Sequence, residues 1–341
     1  MIEVSAGIIR RADGRILICQ RGEGRKNAHL WEFPGGKREA GETAAACLRR
    51  ELQEELSLPL THVQELCTRE AEGIRFTFLT AETDATPILI EHEDMRFVLP
   101  RDMLRYPFCP ADTLVAQQLA VAEIRHFIWD FDGTLVDTYP AMMRAFAAAA
   151  ADFGIAVTPE RTLALMKDCL RHCCETVGGE NGVSAEELLR AFRAHEKDEL
   201  LRGVPAIGGV SEALRALHAH GGAHYVATHR DFTCKALLEQ TGLRALFSGF
   251  VTQEDGLPRK PAPDMLLHLM RSHSLDPAQC VMIGDRPLDT LAGQAAGMLS
   301  VLIDPENRFP DAPCDLRITN PACLSDIFLQ VKRGRMGQYL I

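Results

Sequence analysis

Three glutamates, Glu51, Glu54 and Glu55, stand close together in the first half of the chain. On a helix, residues three and four apart share one face, so this spacing brings the three carboxylates together. Like charges on one face repel each other, and a divalent cation with oxygen ligands relieves that repulsion; magnesium is the usual choice. The alternative is a solvated acidic face that binds nothing. The glycine pair at 35–36, just before this stretch, lets the backbone turn sharply and approach a ligand closely.

A second group of acids follows an apolar segment, where Asp130 and Asp132 come directly after Phe127-Ile128-Trp129. Residues i and i+2 of a strand lie on the same side, and two carboxylates placed together there are costly without a task. Thr228 and Asp285 also end apolar, strand-like segments further along the chain. In an open α/β sheet, ligands bind at the carboxyl ends of the strands. We therefore expect a second polar site at the edge of such a sheet.

Hydrophobic periodicity shows which elements must position these residues. In the first half it predicts strands in 1–20, a helix over 43–56, strands over 74–80 and 87–99, and a helix over 112–125. In the second half it predicts a strand over 126–130, a helical stretch over about 140–202, and strands over 223–228, 248–252, 280–284 and 299–303 with helices between them. Alternation of strand and helix predicts a parallel, doubly wound sheet. The pattern changes near Glu123, so we predict two domains, 1–123 and 124–341.

Length and composition limit the classes of function. A chain of 341 residues with 46% hydrophobic residues is long enough for two packed domains. Its formal net charge of −10 argues against a nucleic-acid polymer or an anionic membrane as the main partner. The chain has eleven cysteines and no apolar run of the roughly 18 residues that span a bilayer, which predicts a cytoplasmic protein with free thiols.

The glutamates belong to a longer pattern, Gly36-x5-Glu42-x7-Arg50-Glu51-Leu-x-Glu54-Glu55-x-Ser57-Leu58, which resembles the Nudix box. The resemblance implies an α+β fold with a mixed sheet in an α/β/α sandwich. It is similar to the MutT-type branch, which hydrolyses nucleoside triphosphates to the monophosphate and pyrophosphate, with an oxidised nucleotide such as 8-oxo-dGTP or a CTP-like nucleotide as candidate substrates. Ser57 departs from the family, which has glycine there. A left-handed helix cap at serine costs about 1 kcal/mol.

The resemblance also implies the roles of individual residues in this domain. Glu51, Glu54 and Glu55 hold magnesium, and Glu54 is also the candidate base for the attacking water. Glu91 matches a later glutamate that family members add to the metal site, and the alternative is a surface strand glutamate.

Three further residues of this domain are candidate substrate contacts. Arg21 and Lys37 occupy positions where the family often places cations that meet phosphate oxygens. Asp112 lies where relatives carry Asn or Asp against the nucleobase, and it could instead be the N-cap of the following helix.

The second group resembles the motifs of the haloacid dehalogenase (HAD) superfamily. The segment Asp130-Phe-Asp132-Gly133-Thr134 is similar to its DxDGT motif, and the later motifs follow in order with Thr228, Lys260 and Gly284-Asp285 through Asp289. The resemblance implies an α/β Rossmann-like core. The helical stretch at about 141–202 sits where phosphoglycolate-phosphatase-like members carry a cap that excludes water and selects the substrate.

The implied chemistry is phosphoryl transfer through a covalent intermediate. Asp130 becomes an aspartyl-phosphate, and Asp132 protonates the leaving oxygen and then deprotonates water. Thr228 donates a hydrogen bond to the phosphoryl group, and Lys260 balances the carboxylate charge.

The remaining residues of the second site are magnesium ligands and substrate contacts. The expected ligands are Asp130, the carbonyl of Asp132, and Asp285, with Asp289 helping to orient the site unless it serves only as a helix cap. Gly133 and His229, each beside a catalytic residue, are the expected substrate contacts. His229 and Arg230 stand where many relatives have Asn and Lys.

Taken together, the sequence predicts a bifunctional hydrolase that acts on small phosphorylated substrates, with Mg²⁺ or Mn²⁺ in both domains. A further hypothesis is that the first site makes a nucleoside monophosphate and the second removes its last phosphate. Two alternatives stay open: the Nudix half could be a nucleotide-binding regulatory module, or the HAD half could be a sugar-phosphate mutase.

Overall fold

The structure, a computed structural model, describes residues 1–71 and 73–333. Its contacts divide the described residues into two compact units, Met1–Glu123 with residues 324–333, and Ile124–Cys323. Everything after residue 123 was predicted to belong to the second domain, but residues 324–333 group with the first unit. The side chain of Gln118 donates a 2.9 Å hydrogen bond to the carbonyl of Asp326, a pairing across 208 residues that no local pattern reveals.

The first unit is an α+β sandwich around a mixed sheet. Its elements in chain order are β1 (Ile2–Arg10), β2 (Ile16–Gln20), β3 (Trp31–Glu32), β4 (Gly35–Lys37), α1 (Ala44–Leu56), β5 (Thr61–Ala71), β6 (Ile74–Glu82), β7 (Asp94–Val98) and α2 (Pro110–Ala120). The strand order is β3-β2-β1-β6-β5, with β4 also paired to β1 and β7 to β2. Among the strand pairs in the described part of this unit, β1–β6 is parallel and the others are antiparallel.

Both faces of this sheet are buried, each against its own helix. Ile9 and Leu17 pack in a cluster with Leu48 of α1, while Ile8 packs in a second cluster with Val115 of α2. Successive residues of a strand point to opposite faces, so adjacent apolar residues serve the two layers. The predicted α/β/α sandwich is confirmed.

Three sequence predictions in this unit differ from the structure. Strand β5 was not predicted because most of its side chains are exposed and polar, and it carries no apolar alternation. Residues 87–93 are not a strand, since Ile88 and Ile90 instead donate backbone hydrogen bonds to the carbonyls of Leu56 and Glu55 at the end of α1. Helix α2 begins at Pro110, two residues earlier than predicted, and ends at Ala120, five residues earlier than predicted.

The second unit alternates strands and helices. After β8 (His126–Trp129) come the four helices α3 (Tyr139–Ala151), α4 (Pro159–Asp168), α5 (Leu170–Asn181) and α6 (Ala185–Leu201). The chain continues with α7 (Val210–Ala219), β9 (Ala223–Ala227), α8 (Thr233–Gln240), β10 (Phe247–Val251), α9 (Asp264–His273), β11 (Cys280–Gly284), α10 (Pro287–Ala295), β12 (Leu299–Ile303) and β13 (Leu316–Ile318). Helix α11 (Cys323–Arg333) follows.

The six strands of this unit form an all-parallel sheet in the order β10-β9-β8-β11-β12-β13. The order reverses between β8 and its neighbours, so the chain is doubly wound and the carboxyl ends of β8, β9 and β11 lie side by side. Helices α3 to α6 build a separate core around Phe146 and Phe192. The predicted Rossmann-like core with a helical cap is confirmed.

No helix in the described part of the chain is both long and apolar enough to cross a bilayer.

Candidate active sites

Helix α1 places the Nudix-like glutamates. It begins after Thr43, whose hydroxyl accepts a 3.2 Å hydrogen bond from the Ala46 amide. It ends at Ser57, which adopts the left-handed conformation (φ 49°) and donates its N–H to the Gln53 carbonyl. The cap predicted for this position is therefore confirmed, and replacing glycine by serine leaves the end of the helix intact.

The three glutamates differ in exposure. Glu51 packs against Gly36 so closely that a Cβ added at Gly36 would lie 2.2 Å from its Cδ, which explains the glycine. Glu54 has 59% of its side chain exposed. Arg50 lies between them and donates to Glu51 at 2.8 Å and to Glu54 at 3.3 Å. This arginine also pairs with Glu42, so it offsets part of the negative charge of the motif.

Glu55 is buried beside a histidine that the sequence analysis did not single out. Burial raises the pKa of Glu55 to about 7, with nearby acids adding to the effect and His92 opposing it. Its Oε2 has no hydrogen-bond partner in the part of the chain that the structure describes, and it lies 4.0 Å from His92 Nε2. The same nitrogen is 3.5 Å from Glu32. A buried carboxylate oxygen left without a donor fits a cation ligand.

Two of the other predicted residues of the first site pair with protein side chains. Glu91 pairs with Arg25 at 2.7 Å on the surface but lies outside any strand, so the alternative of a surface strand glutamate matches its exposure and not its element. Arg21 pairs with Glu32 at 2.5 Å. Lys37 ends β4 with an exposed side chain.

Asp112 is buried and accepts a 3.1 Å hydrogen bond from the Phe33 amide. The N-cap of α2 is Cys109, so the alternative reading of Asp112 as the helix N-cap is wrong. Burial raises the pKa of Asp112 to about 7 even though the Phe33 hydrogen bond lowers it. Asp112 therefore ties α2 to the strand segment that carries Trp31 and Phe33.

The second site forms where the strands of the parallel sheet end. Asp130 follows β8, Asp285 follows β11, and Asp289 lies in the first turn of α10. One carboxylate oxygen from each lies within 4.8 Å of the others, and all three residues are buried. Asp130 Oδ2 has no hydrogen-bond partner among the described residues. Three buried carboxylates at this separation fit a hard divalent cation.

Lys260 neutralises part of this cluster. Its Nζ lies 2.7 Å from Asp130, 2.5 Å from Asp289 and 2.9 Å from the Ala227 carbonyl. Burial alone would raise the pKa of Asp130, but Lys260 and Arg286 outweigh it and hold that pKa below its ordinary value. The Arg286 amide donates to Asp289 at 3.2 Å, so Asp289 both caps α10 and contacts Lys260.

Gly133 is the residue that lets the chain turn beneath these carboxylates. Its φ is +76°, and a Cβ there would lie 2.3 Å from Tyr139 Cε2 and 2.7 Å from Asp285 Oδ2. A larger residue would be strained by its backbone and would also push into the cluster. Thr228 is buried, and its Oγ1 accepts from the Arg230 amide at 3.0 Å, so its hydroxyl proton remains available to donate.

His229 and Arg230 contact catalytic residues directly. His229 Nε2 accepts a 2.8 Å hydrogen bond from the Lys260 amide, and burial with the nearby Lys260 lowers the pKa of His229 to about 3. Arg230, which the sequence analysis did not place in the site, donates to Asp132 at 2.7 Å. Thr138 donates to the same oxygen of Asp132 at 2.6 Å. The signal in the sequence was that His229 and Arg230, directly after Thr228, differ from the Asn and Lys that many relatives carry there.

A cavity of about 350 Å³ opens beside Gly133 and Asp285. Lys167 of α4 reaches Asp285 at 3.3 Å from the cap side. The other lining residues come from the segments entering and leaving the cap and from the loops after β12 and β13, and they include Asp137, Ile207, Gly208, Phe309 and Asn320.

Comparison with known proteins identifies a family for each of the two parts of the chain. Residues 1–119 match the family described as NUDIX domain, and residues 127–303 match the family described as haloacid dehalogenase-like hydrolase. The chain is 41% identical over 118 residues to a CTP pyrophosphohydrolase from Escherichia coli, covering 33% of this chain and 86% of that protein. It is 30% identical over 193 residues to a phosphoglycolate phosphatase from Cupriavidus necator, covering 55% of this chain and 84% of that protein.

A solved structure shares the fold of the second unit. The crystal structure titled as a predicted phosphoglycolate phosphatase from Haemophilus somnus aligns with a TM-score of 0.55 at 20% identity, over 60% of this chain and 98% of that one. The chain therefore belongs to both families: it is a bifunctional hydrolase with a NUDIX domain followed by a haloacid dehalogenase-like phosphatase domain.

Proposed function

We propose that the NUDIX domain hydrolyses a nucleoside triphosphate to the monophosphate and pyrophosphate, and that the second domain hydrolyses a phosphomonoester through Asp130. The observation that carries the proposal is the buried cluster of Asp130, Asp285 and Asp289 with Lys260 at the edge of the parallel sheet. The helix cap and Lys260 account for part of Asp289, but burying all three carboxylates together is costly unless they also bind a cation or react.

In the NUDIX domain, Glu51, Glu54 and Glu55 would hold Mg²⁺, or Mn²⁺ in its place. The ion would lower the pKa of the attacking water and neutralise phosphate charge. Glu54 is the proposed base because its exposed carboxylate can reach solvent water, whereas Glu51 is packed against Gly36. Arg50 orients both carboxylates through its two hydrogen bonds. The identity to a CTP pyrophosphohydrolase makes CTP the first substrate to test.

In the second domain, an Asp130 oxygen forms a bond to phosphorus while the bond from phosphorus to the leaving oxygen breaks. Asp132 gives its proton to that leaving oxygen and then removes one from the water that hydrolyses the aspartyl-phosphate. Lys260 holds Asp130 ionised, and Thr228 donates to the phosphoryl group. Asp130, Asp285, Asp289 and the Asp132 carbonyl would hold the divalent ion, which would neutralise charge on the phosphoryl oxygens.

The cavity bears on the substrate of this domain. A volume of about 350 Å³ is many times the roughly 10–15 Å³ that a cavity needs to hold a single water molecule. Glycolate, a two-carbon acid, would fill a small part of it. We therefore favour a phosphomonoester with a larger alcohol, such as a sugar or a nucleoside, over phosphoglycolate.

The test is a substrate screen on wild type, Glu54→Gln and Asp130→Asn with Mg²⁺. We expect Glu54→Gln to lower pyrophosphate release from nucleoside triphosphates at least about 100-fold and to leave phosphomonoesterase activity within about twofold. Asp130→Asn should do the reverse, because it removes only the nucleophile of the second site.

The matched controls are Glu65→Gln on the exposed face of β5 and Asp198→Asn on the exposed face of α6. Loss of both activities from either active-site change would contradict two independent sites. Binding of nucleotide without hydrolysis would assign a regulatory role to the NUDIX domain, and transfer of phosphate to a phosphosugar would assign a mutase.

A further inference from the structure

Arg230 joins the general acid of the second domain to the helical cap. Its Nε donates to Asp132 at 2.7 Å, and its Nη2 donates to Glu196 at 3.0 Å. Only 7% of the arginine side chain is exposed. Arg230 follows β9 in the part of the second domain that contains the parallel sheet, here called the sheet domain. Glu196 lies on α6, the last helix of the cap. The guanidinium therefore bridges two parts of this domain that are far apart in sequence.

The geometry of this bridge couples its two ends. A guanidinium is planar and presents its donors in a fixed fork, so a carboxylate on Nη2 limits the orientations left for the Nε bond. Asp132 Oδ1 also accepts from Thr138, which stands at the start of α3 where the chain enters the cap. The acid is thus held by a residue at the entrance to the cap and by a residue of the sheet domain that itself contacts the cap.

The charges oppose the loss of just one of the two carboxylates that Arg230 contacts. Glu196 is largely buried, and a buried ion pair that loses one partner leaves an uncompensated charge. Moving α6 away from the sheet domain would separate Glu196 from Arg230 and leave the arginine held by Asp132 alone. Arg230 would then lose the second carboxylate that fixes its orientation, so the Asp132–Arg230 geometry seen here is fixed from both ends only while α6 stays in contact with Arg230.

We propose that Arg230 is a positioning residue: its hydrogen bond to Glu196 holds the cap, and its hydrogen bond to Asp132 orients that acid for proton transfer. We call this pair of hydrogen bonds the latch. Closure of the cap and alignment of the acid then occur together. This inference rests on the proposed phosphomonoesterase function of the second domain. Arg230 acts through Asp132 and is not assigned a contact with the substrate.

A double-mutant cycle tests the coupling. We expect Arg230→Met to lower kcat/KM for an alkyl phosphate such as sorbitol 6-phosphate about 100-fold, and Glu196→Gln to lower it about tenfold. In the Arg230→Met background, Glu196→Gln should lower kcat/KM no further, because the latch is already lost and the glutamine removes the uncompensated charge of Glu196. Effects that multiply independently would overturn the proposal.

Comparing two leaving groups separates a role in positioning the acid from a purely structural role, which would lower kcat/KM equally for both substrates. 4-Nitrophenyl phosphate has a good leaving group that needs little protonation, so Arg230→Met should lower its kcat/KM at least about tenfold less than that of the alkyl phosphate. Equal losses on both substrates would contradict a role in positioning the acid. Arg230→Lys, which keeps the charge without the fork, should restore part of the alkyl phosphate activity.

Glu199→Gln is the matched control, since Glu199 lies one turn further along α6 and pairs with Arg144 inside the cap. It should leave kcat/KM within about twofold. Pyrophosphate release by the NUDIX domain reports whether each variant is correctly quantified, and Trp129 fluorescence in a Trp31→Phe background reports whether its second domain is folded. If wild type hydrolyses no phosphomonoester, the proposed function fails. The latch is then tested by hydrogen exchange of residues 202–207, which should be faster in Glu196→Gln than in Glu199→Gln; equal rates would overturn it.

Discussion

Individual residues in the second site balance its charge. The carboxylates of Asp130, Asp285 and Asp289 are matched by the cations of Lys260 and Arg286 and by Lys167 from the cap. A phosphate dianion and a divalent cation can therefore enter together without changing the net charge of the buried cluster. Phosphate alone would add two negative charges to this balanced cluster, and a divalent cation that entered with it would offset them.

His229 gives this site a measurable pH dependence. Its folded-state pKa of about 3 lies below the value of about 6.5 in an unfolded chain. Below pH 6.5 the unfolded histidine binds a proton while the folded one does not, so stability falls as the pH falls toward 3. Between pH 6.5 and 5 the loss is up to about 2 kcal/mol. We expect His229→Gln to remove this part of the pH dependence, because glutamine can accept from the Lys260 amide and does not titrate.

Urea unfolding at pH 5.0 and 7.0 measures this difference. The chain has two tryptophans, Trp31 in the first unit and Trp129 in the second, so a Trp31→Phe background makes fluorescence report on the second domain alone. His172→Gln on the exposed face of α5 is the control and should behave as the parent. Equal pH dependence in the parent and in His229→Gln would show that the Lys260 contact does not keep the imidazole neutral.

Sequence reasoning at the residue scale succeeded where a motif fixes the position. Asp130, Asp285 and Asp289 were predicted together and lie together. His92 and Arg230 were not predicted, because their partners Glu55 and Asp132 are separated from them by tens of residues and become neighbours only through the fold.

At the scale of elements, hydrophobic periodicity predicted the helices and strands that have a buried face. Helix α1 was predicted over 43–56 and spans Ala44–Leu56, since its buried leucines recur at helical spacing. Strand β5 was not predicted because none of its residues is fully buried and more than half of them are exposed. Strand β13 has three residues, too few for a pattern to be recognised. Periodicity therefore finds the elements that build a core and misses those that only extend a sheet.

The segments leading into and out of the cap shape the cavity, and Gly208 offers a way to fill it. A Cβ added at Gly208 meets nothing within 4 Å, and this glycine lines the cavity. We expect Gly208→Phe to lower kcat/KM about 100-fold for CMP or sorbitol 6-phosphate, because the ring occupies the space for a large alcohol. Phosphoglycolate hydrolysis should change less than about threefold.

Gly179→Phe is the matched control, since Gly179 also faces open space but lies on the exposed side of α5, away from the cavity. Steady-state kinetics on the three esters compare the two variants. If Gly208→Phe slows all three equally, the cavity does not hold the leaving group and the preference for a large alcohol is wrong.

At the scale of the whole molecule, two sites for phosphorylated substrates share one chain. The two motif sets predicted both domains, because each set is long and ordered along the sequence. The grouping of α11 with the first unit could not be predicted, since it depends on contacts such as that between Gln118 and Asp326. A fused pair of hydrolases raises the hypothesis that the product of one site is the substrate of the other.

Sequential action predicts the fate of CTP. Wild type should release pyrophosphate, then phosphate and cytidine, whereas Asp130→Asn should stop at CMP and Glu54→Gln should leave CTP intact. The cavity supports this order because it has room for more than a small acid. Chromatography of the nucleotides over time, with phosphate and pyrophosphate assayed in parallel, distinguishes these outcomes.

A mixture of the Glu54→Gln and Asp130→Asn proteins shows how CMP moves between the sites. If CMP diffuses freely, each protein supplies the activity that the other lacks, and the mixture should form cytidine after a lag that shortens with enzyme concentration. A wild type that forms CMP in equal amount to pyrophosphate, and never cytidine, would rule out sequential action on this nucleotide. The second domain would then act on a phosphomonoester from another source, because Asp130 and its buried neighbours remain equipped for phosphoryl transfer whichever alcohol leaves.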